Sequence, residues 1–297
     1  QPGVSQEALY QFLKQHNSRL QLDVTGGGLA SSLVGNILER GFGHTDYGDR
    51  FSRIINMTVV TPQGHIIRTG FNGQHASASN TYRYGTGPVI DGLFSQSNFG
   101  IVTEMTIELM PKPEKTCMFI VTVKGENQLG NIAEAIRELK LSGAVHSAVH
   151  IANKSRATGS ENTRMAGAWN LSGSVSGPSA LVSSRKKAVR RIFKKHCQGI
   201  TIWFIDDFMM RVARWIHDHI KPFSLYQPLK DAYDLQLGIP TDNPLKVLFN
   251  DSSLQSSTLN TSAYQTCFSW VNAVCAAEKT EIEKLYAVTR QAFEKAG

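Results

Sequence analysis

Apolar and polar positions change rhythm several times along this chain. Leu9, Phe12 and Leu13 fall at helical spacing, which predicts a helix over Val4 to Gln15 with Ser5 as its N-cap. Leu20 to Val24 reads as a strand. It runs into Gly26 to Gly28, and a small-residue helix start follows at Ser31 to Asn36. Ile54 to Thr61 reads as a strand, Pro62-Gln63-Gly64 as a turn, and His65 to Thr69 as the returning hairpin partner. Phe71 to Gly87 is polar and irregular, which predicts an exposed loop. Asp91 to Phe99 reads as a short helix, and Ile101 to Met110 alternates like a strand. Pro111 and Pro113 then break either kind of element and mark a domain boundary.

Beyond the prolines the rhythm is different. Strands are expected at Cys117 to Lys124, Ala144 to Ala152, Trp169 to Ser176 and Ile200 to Ile205. Helices are expected at Leu129 to Leu141, Ala180 to Cys197 and Asp207 to His219. In the last of these, Met209, Met210, Val212, Trp215 and Ile216 form a stripe that reads as core. Tyr226 to Leu248 reads as irregular and Pro-rich, and Asn250 to Ser262 as a polar linker. Thr266 to Cys275 reads as a strand and Lys279 to Lys295 as a final helix. Strand–helix units at this spacing argue for an antiparallel sheet covered by helices, of the α+β class.

A length of 297 residues suggests two domains at roughly 150 residues each. No apolar run reaches about 18 residues, so no membrane-spanning helix is expected. The opening Gln1-Pro2-Gly3 shows neither a signal peptide nor an initiator Met and reads like the middle of a longer chain. A cytoplasmic location is the expectation. Cys117, Cys197, Cys267 and Cys275 lack C-x-x-C spacing and read as buried free thiols. His217 and His219 alone make a poor metal pair, and no metal is expected.

The net charge of +7 is uneven. Arg185, Lys186, Lys187, Arg190, Arg191, Lys194 and Lys195 put seven cations on one predicted helix, 180–197. Such a stripe could meet nucleic acid, an anionic membrane or an acidic partner. A solvated face with Val189, Ile192 and Phe193 turned inward is the better reading. No interleaved aromatic or nucleic-acid motif accompanies the cations, so no nucleic acid is expected.

The chemistry concentrates between Leu22 and Asp49, LDVTGGGLASSLVGNILERGFGHTDYGD. Glycines at this density let a backbone approach a ligand closely. N–H groups at a turn or helix start could cradle a phosphate. An ordinary glycine-rich connection explains the same residues equally well.

Three segments resemble, in order and spacing, the vanillyl-alcohol oxidase / p-cresol methylhydroxylase family of FAD flavoproteins. They are Ser31 to Asp49, Arg68 to Gly70, and Gly87 to Glu114, GPVIDGLFSQSNFGIVTEMTIELMPKPE. Pro2 to Leu13 resembles that family's helix before the glycine stretch. Trp169 to Pro178, Gln236 to Leu245 and the last strand and helix resemble pieces of its cap domain.

The resemblance implies the second half of a PCMH-type FAD-binding domain over residues 1–112. An antiparallel-sheet-with-helices cap, or substrate, domain would follow over 113–297, incomplete at its C-terminus. It places Ser32, Gly35 and Asn36 along the flavin or pyrophosphate. Gly41, Tyr47 and Asp49 would shape the next turn, and Gly100, Ile101 and Val102 would present backbone to the adenine end of FAD. It assigns no catalytic residue here. Asp23, His44, Asp46 and Asp49 would lie near the flavin, or simply hold the turn.

The implied activity is an FAD-dependent oxidoreductase. It would move a hydride from an alcohol or 4-substituted phenol carbon to flavin N5, with oxygen or a redox protein as acceptor. A homo-oligomer is compatible with it. The family's principal pyrophosphate loop, catalytic tyrosine, covalent flavin link and Tyr-Arg pair fall outside the matching segments. This chain alone is therefore expected to bind FAD weakly or not at all. Gly26 stands where vanillyl-alcohol-type members carry an Asp, and Asp46 and Arg50 where the family has Pro and His. The other reading is a non-catalytic relative that keeps the fold as an interaction module.

Overall fold

The computed structural model describes residues 1–71, 77–154, 166–220, 226–248 and 273–296. They form two compact units that interleave in sequence: Gln1–Glu114 with Met209–Leu245, and Lys115–Phe208 with Lys246–Gly297. Both mix helices with antiparallel sheet, as the α+β reading expects.

In the first unit, α1 (Gln6–Gln15) starts where Ser5 Oγ accepts from Ala8 N at 3.1 Å. Leu13 of α1, Leu22, Val24 and Leu33 close a small core with Leu235. β1 (Leu20–Gln21) is shorter than the apolar run around it. Its continuation bonds elsewhere: Val24 O accepts from His44 N at 3.0 Å, and Thr25 N donates to the Gln6 side chain at 2.8 Å. α2 (Leu33–Leu38) follows the glycine stretch.

The sheet of this unit is β2 (Ile54–Val60), β3 (Ile66–Arg68) and β4 (Ile101–Ile107), in the order β3-β2-β4. The predicted hairpin is present, with Gly64 at φ +82° in its turn. Ile54, Met57 and Val59 of β2 pack with Val34 and Ile37 of α2 and with Phe94. Burial of this kind is worth about 1.5–3 kcal/mol per large apolar side chain. The Ile101 to Met110 run is broken, because Glu108 N leaves the ladder to bond Arg53 O at 2.9 Å. Its end becomes β5 (Met110–Pro111), paired with β1. The helix expected over Asp91 to Phe99 is a single 3-10 turn, Asp91–Phe94. Gln96 stops it at φ +49° while its N–H bonds Leu38 O.

In the second unit β6 (Lys115–Val123) is central, in the order β7-β8-β6-β9. β7 is His150–Asn153, β8 Trp169–Gly177 and β9 Ile200–Ile205, all antiparallel neighbours. Strand side chains alternate between faces. Cys117, Phe119, Val121 and Val123 of β6 therefore pack together against two helices, α3 (Leu129–Leu141) and α4 (Ser179–His196). α4 is the basic helix, and Val189, Ile192 and Phe193 are buried as expected. Burial raises the Cys197 thiol to about 11 and also raises Cys117. β7 begins later than Ala144, since Ser147 replaces ladder bonds with its hydroxyl, which bonds both Ser174 N and Ser174 O.

α5 (Asp207–His219) has the predicted span. Its stripe is not core: Met210 is buried, but Trp215 is 56% exposed and Met209 and Val212 are exposed too. Helical spacing tells that one face is apolar, not what covers it. The stretch read as irregular holds α6 (Tyr226–Gln236) and α7 (Asn243–Leu248). Pro228 and Pro244 sit in first turns, where a helix has no use for their missing N–H. α8 (Lys279–Ala296) matches the final predicted helix and lies against α3. The Asn250 to Ser262 linker falls outside the described residues, as does the Thr266 to Cys275 strand through residue 272. No helix among the described residues is long and apolar enough to cross a membrane.

Candidate functional site

The glycine stretch wraps around one buried carboxylate. Asp23 follows β1 and is 7% exposed. Its Oδ1 accepts from Thr45 N at 2.8 Å and from Thr45 Oγ1 at 2.6 Å. Arg50 Nε lies 3.9 Å from Oδ2, and Arg50 Nη1 donates to Asn36 Oδ1 at 2.6 Å. Burial pushes the Asp23 carboxyl up, against the lowering effect of Thr45 and Arg50. Burial likewise pulls the Arg50 guanidinium down, against Asp23.

The loop fits this pair tightly. A Cβ on Gly43 would lie 1.5 Å from Asp23 Oδ2, and one on Gly41 within 2.5 Å of the Asn36 amide. Gly43 N bonds Gly48 O at 2.9 Å, and Gly48 N bonds Thr45 O at 3.1 Å. Asp23, Gly43, Thr45 and Arg50, all buried, thus form one turn assembly with half-buried Asn36 and Gly41. His44 joins it through its backbone, its N–H donating to Val24 O.

Three N–H groups of the glycine turn, where a phosphate cradle is expected, are already engaged. Gly27 N donates to Thr25 Oγ1 at 3.2 Å, Ser31 N to Gly28 O at 3.3 Å, and Leu29 N to Asp242 Oδ1 at 2.8 Å. A carboxylate therefore occupies the place where the glycines alone suggested an anion. Gln6, fully buried, spans the loop: its Nε2 donates to Gly28 O and its Oε1 accepts from Thr25 N, both at 2.8 Å. Neither Gln6 nor Asp242 carries a motif signal, because each acts only through long-range bonds to the loop backbone.

The remaining expected residues are spread around this assembly. Ser32 caps α2, accepting from Gly35 N at 3.0 Å while donating to Pro2 O at 2.6 Å. Tyr47 donates to Glu108 Oε1 at 3.2 Å and carries the Arg53 guanidinium 3.8 Å over its ring. Burial and Glu108 push its phenol up, so it stays protonated. Asp49 Oδ1 accepts from Ser52 N at 3.2 Å and fixes the next turn. Gly100, Ile101 and Val102 lie at the head of β4, on the opposite side of β2 from β3.

β4 presents an open edge. It is an edge strand among the described residues, so one row of its N–H and C=O groups faces no strand. Ile101 is 74% exposed, whereas Val102 is buried in the core. Gly100 lets β4 lie close on β2, since a Cβ there would meet Val59 Cγ1 at 2.5 Å. In the glycine loop the N–H groups of Gly27, Leu29 and Ser31 are already bonded within the protein. Among the described residues no three His, Cys, Asp or Glu gather as a metal set. His217 stacks on Tyr226, and His219 Nδ1 lies 3.1 Å from Trp215 O.

Comparison with known proteins agrees on the cofactor. An FAD binding domain family matches residues 1–70. The 1'-carboxy-chondrochloren decarboxylase of Chondromyces crocatus is 31% identical over 274 residues, covering 83% of this chain and 50% of that protein. The 4-cresol dehydrogenase [hydroxylating] flavoprotein subunit of Pseudomonas putida is 32% identical over 225 residues, covering 67% and 43%. The crystal structure of p-cresol methylhydroxylase with substrate bound superposes with a TM-score of 0.68 at 27% identity, over 83% of this chain and 49% of that one. The chain spans about half the length of the curated relatives it matches.

Proposed function

Because the chain belongs to the vanillyl-alcohol oxidase / p-cresol methylhydroxylase family of FAD-linked oxidases, we propose that its protein oxidises an alcohol or a 4-substituted phenol. The protein is a flavoprotein oxidoreductase and its cofactor is FAD. The hydride acceptor, flavin N5, is what the cofactor supplies when bound. In this reading residues 1–112 serve the cofactor and residues 113–297 the substrate. Oxygen or a redox protein takes the electrons, the location is cytoplasmic, and a homo-oligomer is compatible with the activity.

The observation that carries the proposal is the head of β4. The close seat of Gly100 on β2 and the open strand edge from Ile101 onward offer paired N–H and C=O groups to a base. Ser32, Gly35 and Asn36 would line the flavin or pyrophosphate, with Gly41, Tyr47 and Asp49 shaping the turn beside them. Asp23 and Arg50 position that turn from beneath. None of these side chains is offered as an acid or base. The interaction-module reading is less favoured, since the likenesses are to oxidoreductases of one cofactor class and to a decarboxylase.

That decarboxylase supports a second reading, in which the substrate loses a carboxyl group. One experiment separates the two. The flavin-loaded full-length protein is mixed anaerobically with 4-alkylphenols, benzylic alcohols and their ring-carboxylated analogues. Bleaching of the flavin by the phenols or alcohols is expected. Carbon dioxide release without bleaching would favour the decarboxylase reading, and response to no compound would sink both.

A further inference from the structure

We propose that the first unit carries a binding site for a monocarboxylate with an apolar tail, in a groove of about 330 Å³ beside α1 and β1. None of its lining residues is among those the family resemblance gives to FAD. Its size is near the lower end of small-ligand pockets, which run from roughly 300 to 1,000 Å³.

The floor is apolar and preformed. Leu13 and Leu22 are buried beneath it, with half-buried Leu237 and Ile239 alongside. The wall from 237 to 239 is held on β1 by Gly238, at φ +72°; a Cβ there would stand 2.2 Å from Leu22 O. Gly238 N bonds Leu235 O at 3.3 Å, and Ile239 N bonds Asp234 O at 3.0 Å. A wall seated this closely needs no rearrangement to accept a ligand.

The polar groups ask for an anion. Lys14 and Lys112 line the groove, neither makes an ion pair among the described residues, and no carboxylate lines it. Gln21 also lines it, is 6% exposed, and has an Nε2 with no hydrogen-bond partner. A buried amide donor left unpaired is costly, and a carboxylate oxygen would pair it. Two cations and the unpaired Gln21 donor above an apolar floor, with neutral Tyr10, Asn17 and Ser18 also lining the groove, match a monocarboxylate bearing an aryl or short alkyl group. Inorganic phosphate would leave the floor unused.

The test is calorimetric titration of the full-length protein with 4-phenylbutyrate, 4-phenylbutanol and inorganic phosphate. The carboxylate is expected to bind about tenfold or more tightly than the alcohol, since a hydrogen bond to a charged group is the stronger kind. K14Q/K112Q should weaken the carboxylate by about the same factor and leave the alcohol unchanged. Phosphate should not displace the carboxylate at equal concentration. Gln21→Leu should weaken it as well, and the lysine double variant keeps the test valid if that protein does not fold. Equal affinity for acid and alcohol, indifference to the lysine changes, displacement by phosphate, or no binding of phenylbutyrate would each overturn the proposal. Flavin content and bleaching, read on the same samples, report separately on the oxidoreductase activity.

Discussion

Asp23 and Arg50 face each other inside the first unit at 3.9 Å, both buried, yet Asp23 Oδ2 and Arg50 Nη2 each lack a hydrogen-bond partner. Taking either charge out of water is expensive, and a loose pair offsets only part of that cost. Removing one partner leaves the other charge buried alone. Arg50→Met is therefore expected to destabilise the protein by about 3–5 kcal/mol, toward the lower end for so long a pair. Asp23→Asn in the same background should cost less than it does alone. The pH sign follows from the raised Asp23 pKa. The protonated form is the one the fold favours, so its contribution is full below the ordinary 3.8 and is lost as pH rises through the folded value. Urea unfolding of wild type and D23N between those limits should show their difference shrinking as pH rises; a growing difference refutes the assignment.

Gly43 and Gly41 sit two residues apart and should respond unequally to a methyl group. At Gly43 the new Cβ meets the carboxylate of Asp23, which Thr45 holds from two donors. At Gly41 it meets the half-buried Asn36 amide, a flexible side-chain end held by one bond from Arg50. Gly43→Ala should cost about 1–3 kcal/mol or more as overpacking, and Gly41→Ala less. Gly92→Ala, with nothing within 4 Å of its added Cβ, should stay within about 0.5 kcal/mol of wild type. Thermal melts of the three variants give the order; equal losses at 41 and 43 would show that Asp23 can move aside.

Gln6 predicts a stability effect far from its own position in sequence. Gln6→Leu keeps the volume but orphans Thr25 N and leaves Gly28 O only the longer bond from Ser31 N at 3.3 Å. Each buried group left unpaired costs about 1–3 kcal/mol. Hydrogen exchange should also become faster at Thr25 than at α1, because the loop loses the amide that ties Thr25 to Gly28. An unchanged exchange rate at Thr25 would mean that water replaces the amide.

Much of this architecture was legible in the residues, for stated reasons. The hairpin from Ile54 and the helix at Leu129 follow strong periodicity, and periodicity is what a packed face imposes on a sequence. Elements bounded by side-chain bonds were not legible. Leu22 and Val24 look like strand, but Gln6 and His44 take the bonds a strand partner would need. Helices at Tyr226 and Asn243 were hidden by prolines that the first turn tolerates. At the site, Gly41 and Asn36 were found as a motif, yet their link to Arg50 and Asp23 is a matter of three dimensions. Arg50 drew notice only as a departure from a family His, and Asp242 offered no sign of reaching Leu29 N across the chain.

On the second unit, Glu138 of α3 meets two side chains from the end of the basic helix, the His196 imidazole and the Lys195 ammonium. His196 Nε2 and Lys195 Nζ each lie 2.7 Å from its Oε2. The hydrogen bond from His196, then that from Lys195, holds its carboxyl down to about 2, from the ordinary 4.5. A depressed carboxylate stabilises the fold above its unfolded pKa, and that contribution is lost as pH falls through about 2. The stability difference between wild type and Glu138→Gln should thus shrink steadily as pH falls below 4.5. Carbon-13 titration of the Glu138 carboxyl should give a midpoint near 2 in wild type and a higher one in His196→Asn. The contact is surface-exposed, so added salt should bring the two midpoints together. A wild-type midpoint at the ordinary 4.5 would mean that the link between α3 and α4 does not persist in solution.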